Sequence, residues 1–428
     1  MVNIPKRTLV TMMNALSSGV VPRRGLEHIA VGRRKESETF ISDLETTAEG
    51  GGAFRIISGR YGNGKSFLMQ MVRNKAMDEG FVVMDADLSV NRRLTGGKNE
   101  GLATYRELVK NMAVRSRPDG GAIETVVQEY IAKMIERISK ELGKEIRELD
   151  ESCSVLGSVP ASLSPLPFSG DFIRCMVTYL RDTMSGGDGA APLKWFKGEY
   201  DTKRDAKSDI GVSSIVDDSN WYDLVKIWAE ASVLAGFKGL VVFIDEAVVL
   251  YKLQSKISRS NNYERMLTIL NDIMQGKSSH LSMYMCGTPE FIEDPNRGLY
   301  SYEALRSRLS SGRYENEVDN YMGPVMTLRP LSNEDVFVLI RTIRNLYEQR
   351  YDWDSGIDDT MLEDYLRIAV SSSVSSSLVT PREITRDLIS LMDTMKQNPN
   401  APFYDLIEGR SIEPDRDPDN DIFGDLEV

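Results

Sequence analysis

Apolar residues run almost without interruption through AFRIIS (53–58), FVVMDADL (81–88), GLVVFIDEA (239–247), LSMYMCGTP (281–289) and GPVMTLRP (323–330). Short apolar runs bounded by glycine, proline or acids predict five buried strands. Elsewhere the apolar positions recur every three or four residues. That spacing predicts a helix from about Lys65 to Asp78, and others in LATYRELVKNMAV (102–114) and AIETVVQEYIAKMIERISKEL (122–142). Loops are expected at 157–170 and 185–192, where glycine, proline and serine cluster. From Leu331 onward the pattern is helical only, with the serine tract SSSVSSS (371–377) as a loop before a helix capped near Thr380, with Pro381 at its first position. Continuous apolar strands separated by helices indicate an α/β fold, a parallel sheet covered on both faces. A small helical domain follows it.

Size and composition narrow the class. A chain of 428 residues can hold one large domain and a smaller one. Three cysteines without C-x-x-C spacing and two histidines, His28 and His280, argue against a zinc site or a disulfide framework. No stretch approaches the roughly 18–20 apolar residues that span a bilayer, and the first residues lack a secretory leader, so a cytoplasmic protein with no membrane contact is expected. The formal charge of −12 is uneven. The last 18 residues, SIEPDRDPDNDIFGDLEV, carry seven acids and one arginine, whereas residues 1–35 hold seven Lys/Arg against Glu27 alone. That polarity leaves room for a basic surface on an acidic protein.

The first strand runs into GRYGNGKS (59–66), which meets the pattern G-x-x-x-x-G-K-[ST] through Gly59, Gly64, Lys65 and Ser66. Glycines there let backbone N–H groups turn around phosphate oxygens, while Lys65 neutralises the β and γ phosphates and Ser66 offers its hydroxyl to Mg²⁺. The helix that starts there adds its positive end. Gly59, Arg60, Tyr61, Gly62, Asn63, Gly64, Lys65, Ser66 and Phe67 form the expected nucleotide-binding run. Such a loop needs an apolar strand ending in an acid, and LVVFIDEA supplies Asp245 for Mg²⁺ and Glu246 as candidate general base. ATP and Mg²⁺ are the expected cofactors. No guanine-reading N-K-x-D arrangement is present.

With these parts in place the chain resembles AAA+ ATPases, in particular the branch containing origin-recognition and STAND-type proteins. AVGRRKE (30–36) resembles that branch's adenine-side motif through Gly32, Arg33 and Glu36. MYMCGTPE resembles the fourth strand with its sensor 1 residue, matched by Thr288. TPREITRD resembles the sensor 2 helix of a lid, which would bring Arg382 to the γ-phosphate. YEALRSRLS falls where a trans-acting arginine finger would sit, matched by Arg306 or Arg308. Structural alternatives stand beside each: Arg33 as a helix cap, Thr288 as a turn residue, Arg382 in a surface ion pair, Arg306 and Arg308 on a solvated helix face. One departure is large. About 150 residues separate Leu88 from Leu240, where compact AAA+ modules have a short helix, which suggests a dedicated partner or substrate surface.

Four stretches together resemble one bacterial family, the BrxD-like ATP-binding proteins of BREX phage-defence islands: SSGVVPRRGLEHIAVGR, GRYGNGKSFLMQMVRNKAMDEGFVVMDADLS, GLATYRELVKNMAVRSRPDGGAIE and RGLYSYEALRSRL. The resemblance implies an ATPase acting within a larger defence assembly, with other defence-system proteins as partners; a homo-oligomer is expected if the arginine-finger match holds. The resemblance implies no known substrate.

The expected organisation is a basic N-terminal segment with the adenine-side motif (1–36), an ATPase core (37–330) containing a helical insertion (89–220), a helical lid (331–410) and an acidic tail (411–428). Lysines and arginines of the N-terminal stretch or of NRRLTGGK (91–98) could meet DNA phosphates, or simply form a solvated surface. Two rival functions stay open: a slow-turnover nucleotide-dependent switch that gates assembly, and a DNA-binding loader resembling origin-recognition proteins. Glu246 discriminates the first, since only an enzyme depends on it for turnover.

Overall fold

The computed structural model describes residues 4–146, 148–310, 320–371, 379–408 and 412. The serine tract beyond Ser371 and nearly all of the acidic tail lie outside them. Two compact units divide the chain.

The larger unit comprises residues 38–58 and 72–326. Its sheet contains β1 (Phe54–Ser58), β2 (Val82–Asp87), β3 (Leu240–Asp245), β4 (Leu281–Gly287) and β5 (Val325–Thr327, whose last residue belongs to the other unit), in the order β2-β3-β4-β1-β5. The strands are parallel, and every residue of β1 and β4 is buried, as a sheet covered on both faces requires. The expected five-stranded parallel sheet flanked by helices, with a helical insertion and a helical C-terminal region, is the one observed. Register brings the functional strand ends to one edge. Ser58, the last residue before the glycine loop, lies beside Gly287, and Asp245 lies beside Asp87. Ligands of open parallel sheets bind at this carboxyl edge.

β2 is an edge strand, and its exposed side is closed by Ala113, which exchanges two backbone hydrogen bonds with Val83 (2.9 and 2.8 Å). Covering an edge in this way blocks pairing with another chain. Asp43 and Arg55 form a buried two-pronged ion pair beneath β1, with N–O distances of 2.5 and 2.7 Å. Arg55 also donates to the carbonyls of Tyr321 and Gly323.

The insertion is built into this core. Its helices, among them Glu100–Lys110, Ile123–Leu142, Ser169–Met184 and Ala190–Phe196, contribute to the same apolar cluster as the strands. Phe172 packs edge-on against Phe196 and Trp228, both at 5.1 Å between ring centroids. The indole N–H groups of the three buried tryptophans find acceptors: Trp228 on the Tyr105 hydroxyl, Trp221 on the Leu94 carbonyl and Trp195 on the Ser214 carbonyl. A helix starting at Ala190 occupies the end of the stretch expected from its glycines to be a loop. Most of the insertion's apolar side chains are buried in this cluster, while Val90, Leu142, Val159 and Met184 stay exposed.

The smaller unit holds the described residues of 1–37, 59–71 and 327–428. Three helices, Asn333–Tyr351, Asp359–Ser371 and Pro381–Gln397, form its centre. Ser332 and Thr380 cap the first and third through capping boxes with Asp335 and Glu383, and Pro381 stands at the first helical position, as expected. In the structure, helix Lys6–Ser17 buries Leu9, Met12 and Met13 in the same apolar cluster as these three helices.

Candidate functional site

The glycine loop lies in the smaller unit together with the region following β5 and the Pro381–Gln397 helix. Gly62 and Gly64 have φ of 81° and 86°, a left-handed conformation that costs glycine little and L side chains more. The resulting turn is closed by the Asn63 N–H on the Arg60 carbonyl (3.2 Å), and helix Lys65–Asp78 begins directly after it. The Lys65 ammonium donates to the carbonyls of Gly59 (2.6 Å) and Arg60 (3.0 Å), which hold its charge over the loop. Ser66 is exposed, and Phe67 packs into the apolar cluster of this unit.

The loop is also braced from outside. Asn63 Nδ2 donates to the Leu328 carbonyl (2.9 Å). Arg33 is buried, and its guanidinium donates to the carbonyls of Asn63 (2.9 Å) and Arg329 (2.8 Å) and to Glu36 (3.1 Å). The residue expected on the adenine side from its motif therefore ties the phosphate loop to the chain leaving β5. Gly32, at φ 68°, lets Asp335 approach so closely that a Cβ would stand 2.7 Å from its carboxylate.

The Pro381–Gln397 helix meets the loop through its cap. A Cβ on Gly62 would stand 2.2 Å from Thr380 Cγ2, so only glycine allows this contact. Arg382 donates through Nη1 to the Tyr61 hydroxyl at 2.6 Å, with its guanidinium 5.4 Å from that ring's centroid. Tyr61 thus does more than fill a variable loop position. Its partner is 321 residues away in sequence, and no local signal marks the pair.

Asp245 and Glu246 lie in the larger unit. Asp245 ends β3, and its Oδ1 accepts the N–H of Glu246 at 2.8 Å. Glu246 is exposed and sits at φ 56°, an uncommon backbone state for a residue with a Cβ and one that clusters at functional sites. Beside Asp245 stands Asp87, which sequence reasoning missed. Partial desolvation of its carboxyl, followed by the charges of Asp245 and Asp85, raises its pKa above the ordinary aspartate value. The period of β2 places Asp87 at a strand end, a signal that the pattern of apolar positions alone does not single out. Among the described residues no cluster of three or more His, Cys, Asp or Glu could hold a metal alone. One or two carboxylates completed by waters and substrate phosphates suit Mg²⁺, so Asp245 is a donor of a type that fits that ion.

Thr288 follows β4 and caps helix Pro289–Glu293, its hydroxyl accepting the Phe291 N–H (3.3 Å). That oxygen can still donate. Arg306 and Arg308 share helix Glu303–Leu309 but differ in surroundings. Arg308 is anchored to Asn271 (2.8 Å) and the Ala304 carbonyl (2.8 Å), whereas Arg306 is 57 % exposed and has Glu303 at 4.0 Å. In NRRLTGGK, Arg92 pairs with Glu107 at 3.3 Å, and Arg93 bonds Glu100 and Ser258. Asp218 and Asn262 fix the loop backbone. Both arginines offered from sequence for DNA phosphates are therefore engaged within the fold.

A phosphate-cradle loop that follows the first strand of a parallel sheet, with a helix capped against that loop, defines a P-loop nucleotide-binding protein. Residues 4–411 match the model of the family described as BREX system ATP-binding protein BrxC/D, and the chain belongs to that family. No curated protein matches the chain at a significant level. Among solved structures, the Aeropyrum pernix ORC1 protein in complex with DNA is similar at 11% identity and a TM-score of 0.37, over 87% of this chain and 63% of that one. No described helix is long and apolar enough to cross a membrane.

Proposed function

We propose that this protein is an AAA+-like, Mg²⁺-dependent ATPase of a BREX defence system that works as a homo-oligomer with other proteins of that system in the cytoplasm. The observation that carries this is the phosphate loop, with two left-handed glycines, a lysine amine held over it and a braced backbone. The backbone amides and Lys65 bind the β and γ phosphates. Ser66 and Asp245 would hold Mg²⁺, which when bound neutralises charge developing on the phosphates. Glu246 orients the attacking water and takes its proton. Thr288 and Arg382 report the γ-phosphate. In organisation, residues 1–36, the core at 37–330 with its insertion at 89–220, and the lid at 331–410 serve the same cycle.

Arg306 is the better candidate to act across a subunit interface, because Arg308 is anchored within its own chain. Steady-state hydrolysis per subunit, measured over a protein concentration series with and without duplex DNA, is expected to rise with concentration. Arg306→Ala should lower it by about 10³-fold or more, the scale of a trans-acting arginine, and Arg308→Ala by far less. Turnover independent of both concentration and Arg306 would remove the trans assignment.

The Arg382–Tyr61 hydrogen bond supports a second reading, a switch that binds ATP and turns over slowly. A γ-phosphate competing for Arg382 would release Tyr61 and so alter what partners see. DNA stimulation of turnover would instead favour a loader acting on DNA.

A further inference from the structure

The insertion leaves one strongly basic feature on its surface. Lys203, Arg204, Lys207, Ser208 and Ser213 line an open pocket of about 520 Å³ in the larger unit. The three cations come from one helix, Lys203–Ile210, and all are exposed. At 3.6 residues per turn, positions 203, 204, 207 and 208 share one face, and 205 and 209 fall on the other. The helix acids are turned away accordingly: Asp205 accepts from the Thr202 hydroxyl and Asp209 from the Tyr200 hydroxyl. Within the helix no acid stands three or four residues from any of the three cations. Among the described residues none of the three has a carboxylate partner. Like charges one turn apart repel by a few tenths of a kcal/mol, so the arrangement is locally unfavourable without an anion.

The surroundings extend the set. Arg174 lies at the C-terminal end of the same helix, where it donates to the Gly211 carbonyl (3.2 Å). Asp171 bonds Ser213, one of the residues that line the pocket. Its carboxylate accepts from the N–H and hydroxyl groups of both Ser213 and Ser214, so its charge is already met by donors.

We propose that this pocket is a docking site for the phosphate backbone of a nucleic-acid duplex. Lysine, arginine and serine are the residue types that contact backbone phosphates. Lys203 and Lys207 lie about 6 Å apart along the helix axis, so they address successive groups of a polyanion. No aromatic side chain lines the pocket, so there is no platform on which unpaired bases could stack. Binding is therefore independent of sequence, prefers duplex to single strand and is weak at physiological salt, since the chain carries a net charge of −12. No residue of the pocket belongs to the nucleotide loop, and its test needs no ATP.

Anisotropy of a fluorescent DNA duplex titrated with the full-length protein, without nucleotide, at salt from about 50 to about 200 mM decides the matter. Contact with about three phosphates gives a log–log salt slope near −2.7, a loss of about 40-fold over that range. Lys203→Gln/Arg204→Gln/Lys207→Gln is expected to weaken binding at least 10-fold and flatten the slope by at least about one unit. Lys133→Gln/Lys140→Gln, which removes cations already paired with Glu136, should change neither. Both variants alter exposed side chains, and unchanged thermal unfolding verifies their folds. Duplex binding equal in the triple variant and wild type, absence of binding at low salt, equal affinity for single strands, or equal competition by polyglutamate would each overturn the assignment. Loss of ATP binding in a Lys65 variant would leave it untouched.

Discussion

Glu246→Gln will lower steady-state ATP turnover by about 10²- to 10⁴-fold, the usual contribution of a positioned general base, while ATP binding stays within about twofold. Glutamine keeps the length and shape of the side chain and one oxygen that can align water, but it cannot accept the proton at neutral pH. The swap is also gentle on the backbone. Glu246 sits at φ 56°, and glutamine meets the same local cost there as glutamate. Any fall in turnover therefore reports the carboxylate and not a refolded strand end. Phosphate release under saturating ATP, read beside the affinity for a fluorescent ATP analogue, separates the two quantities. In the switch reading the wild-type rate is already low and the variant changes it little.

Asp43→Ala is expected to reduce the free energy of unfolding by about 3–5 kcal/mol, because it leaves a buried arginine without its counter-charge. Both side chains of the Asp43–Arg55 pair are under a tenth exposed (8% and 7%). Arg55 lies within β1, three residues before Ser58 and the glycine loop, so loss of the pair acts on the strand that launches the loop. Replacing both partners, Asp43→Leu/Arg55→Leu, should recover much of the loss, since two apolar groups of similar volume leave no unpaired charge. Urea unfolding of the three proteins measures this. A double variant as unstable as Asp43→Ala would show that the packing space, and not the orphaned charge, sets the cost.

What the sequence made legible was whatever is local. The strands announce themselves because burial on both faces removes the polar alternation, as in Ile56, Ile57 and Val241 to Ile244. The phosphate loop is readable because its geometry demands glycine at fixed places. The cap at Thr380 and Pro381 is readable because a capping box closes within four residues. Contacts between distant segments left no such trace. Arg33 carries a motif suggesting the adenine side, yet its hydrogen bonds run to carbonyls 30 and 296 residues away. Tyr61 meets Arg382 through folding alone. The basic arginines of NRRLTGGK looked available because Glu107 and Ser258, which bind them, lie on separate helices. Asp87 was hidden for a related reason: its neighbour Asp245 becomes adjacent only when β2 and β3 pair.

Equilibrium binding of ATP to the purified protein and to Lys65→Ala tests the central claim most directly. If the 59–66 loop cradles the triphosphate, wild type binds ATP and the variant loses affinity by at least about 100-fold, corresponding to about 2.7 kcal/mol, with its thermal unfolding in the absence of nucleotide unchanged. Undiminished ATP binding by a folded Lys65→Ala protein would place the nucleotide elsewhere and contradict the account.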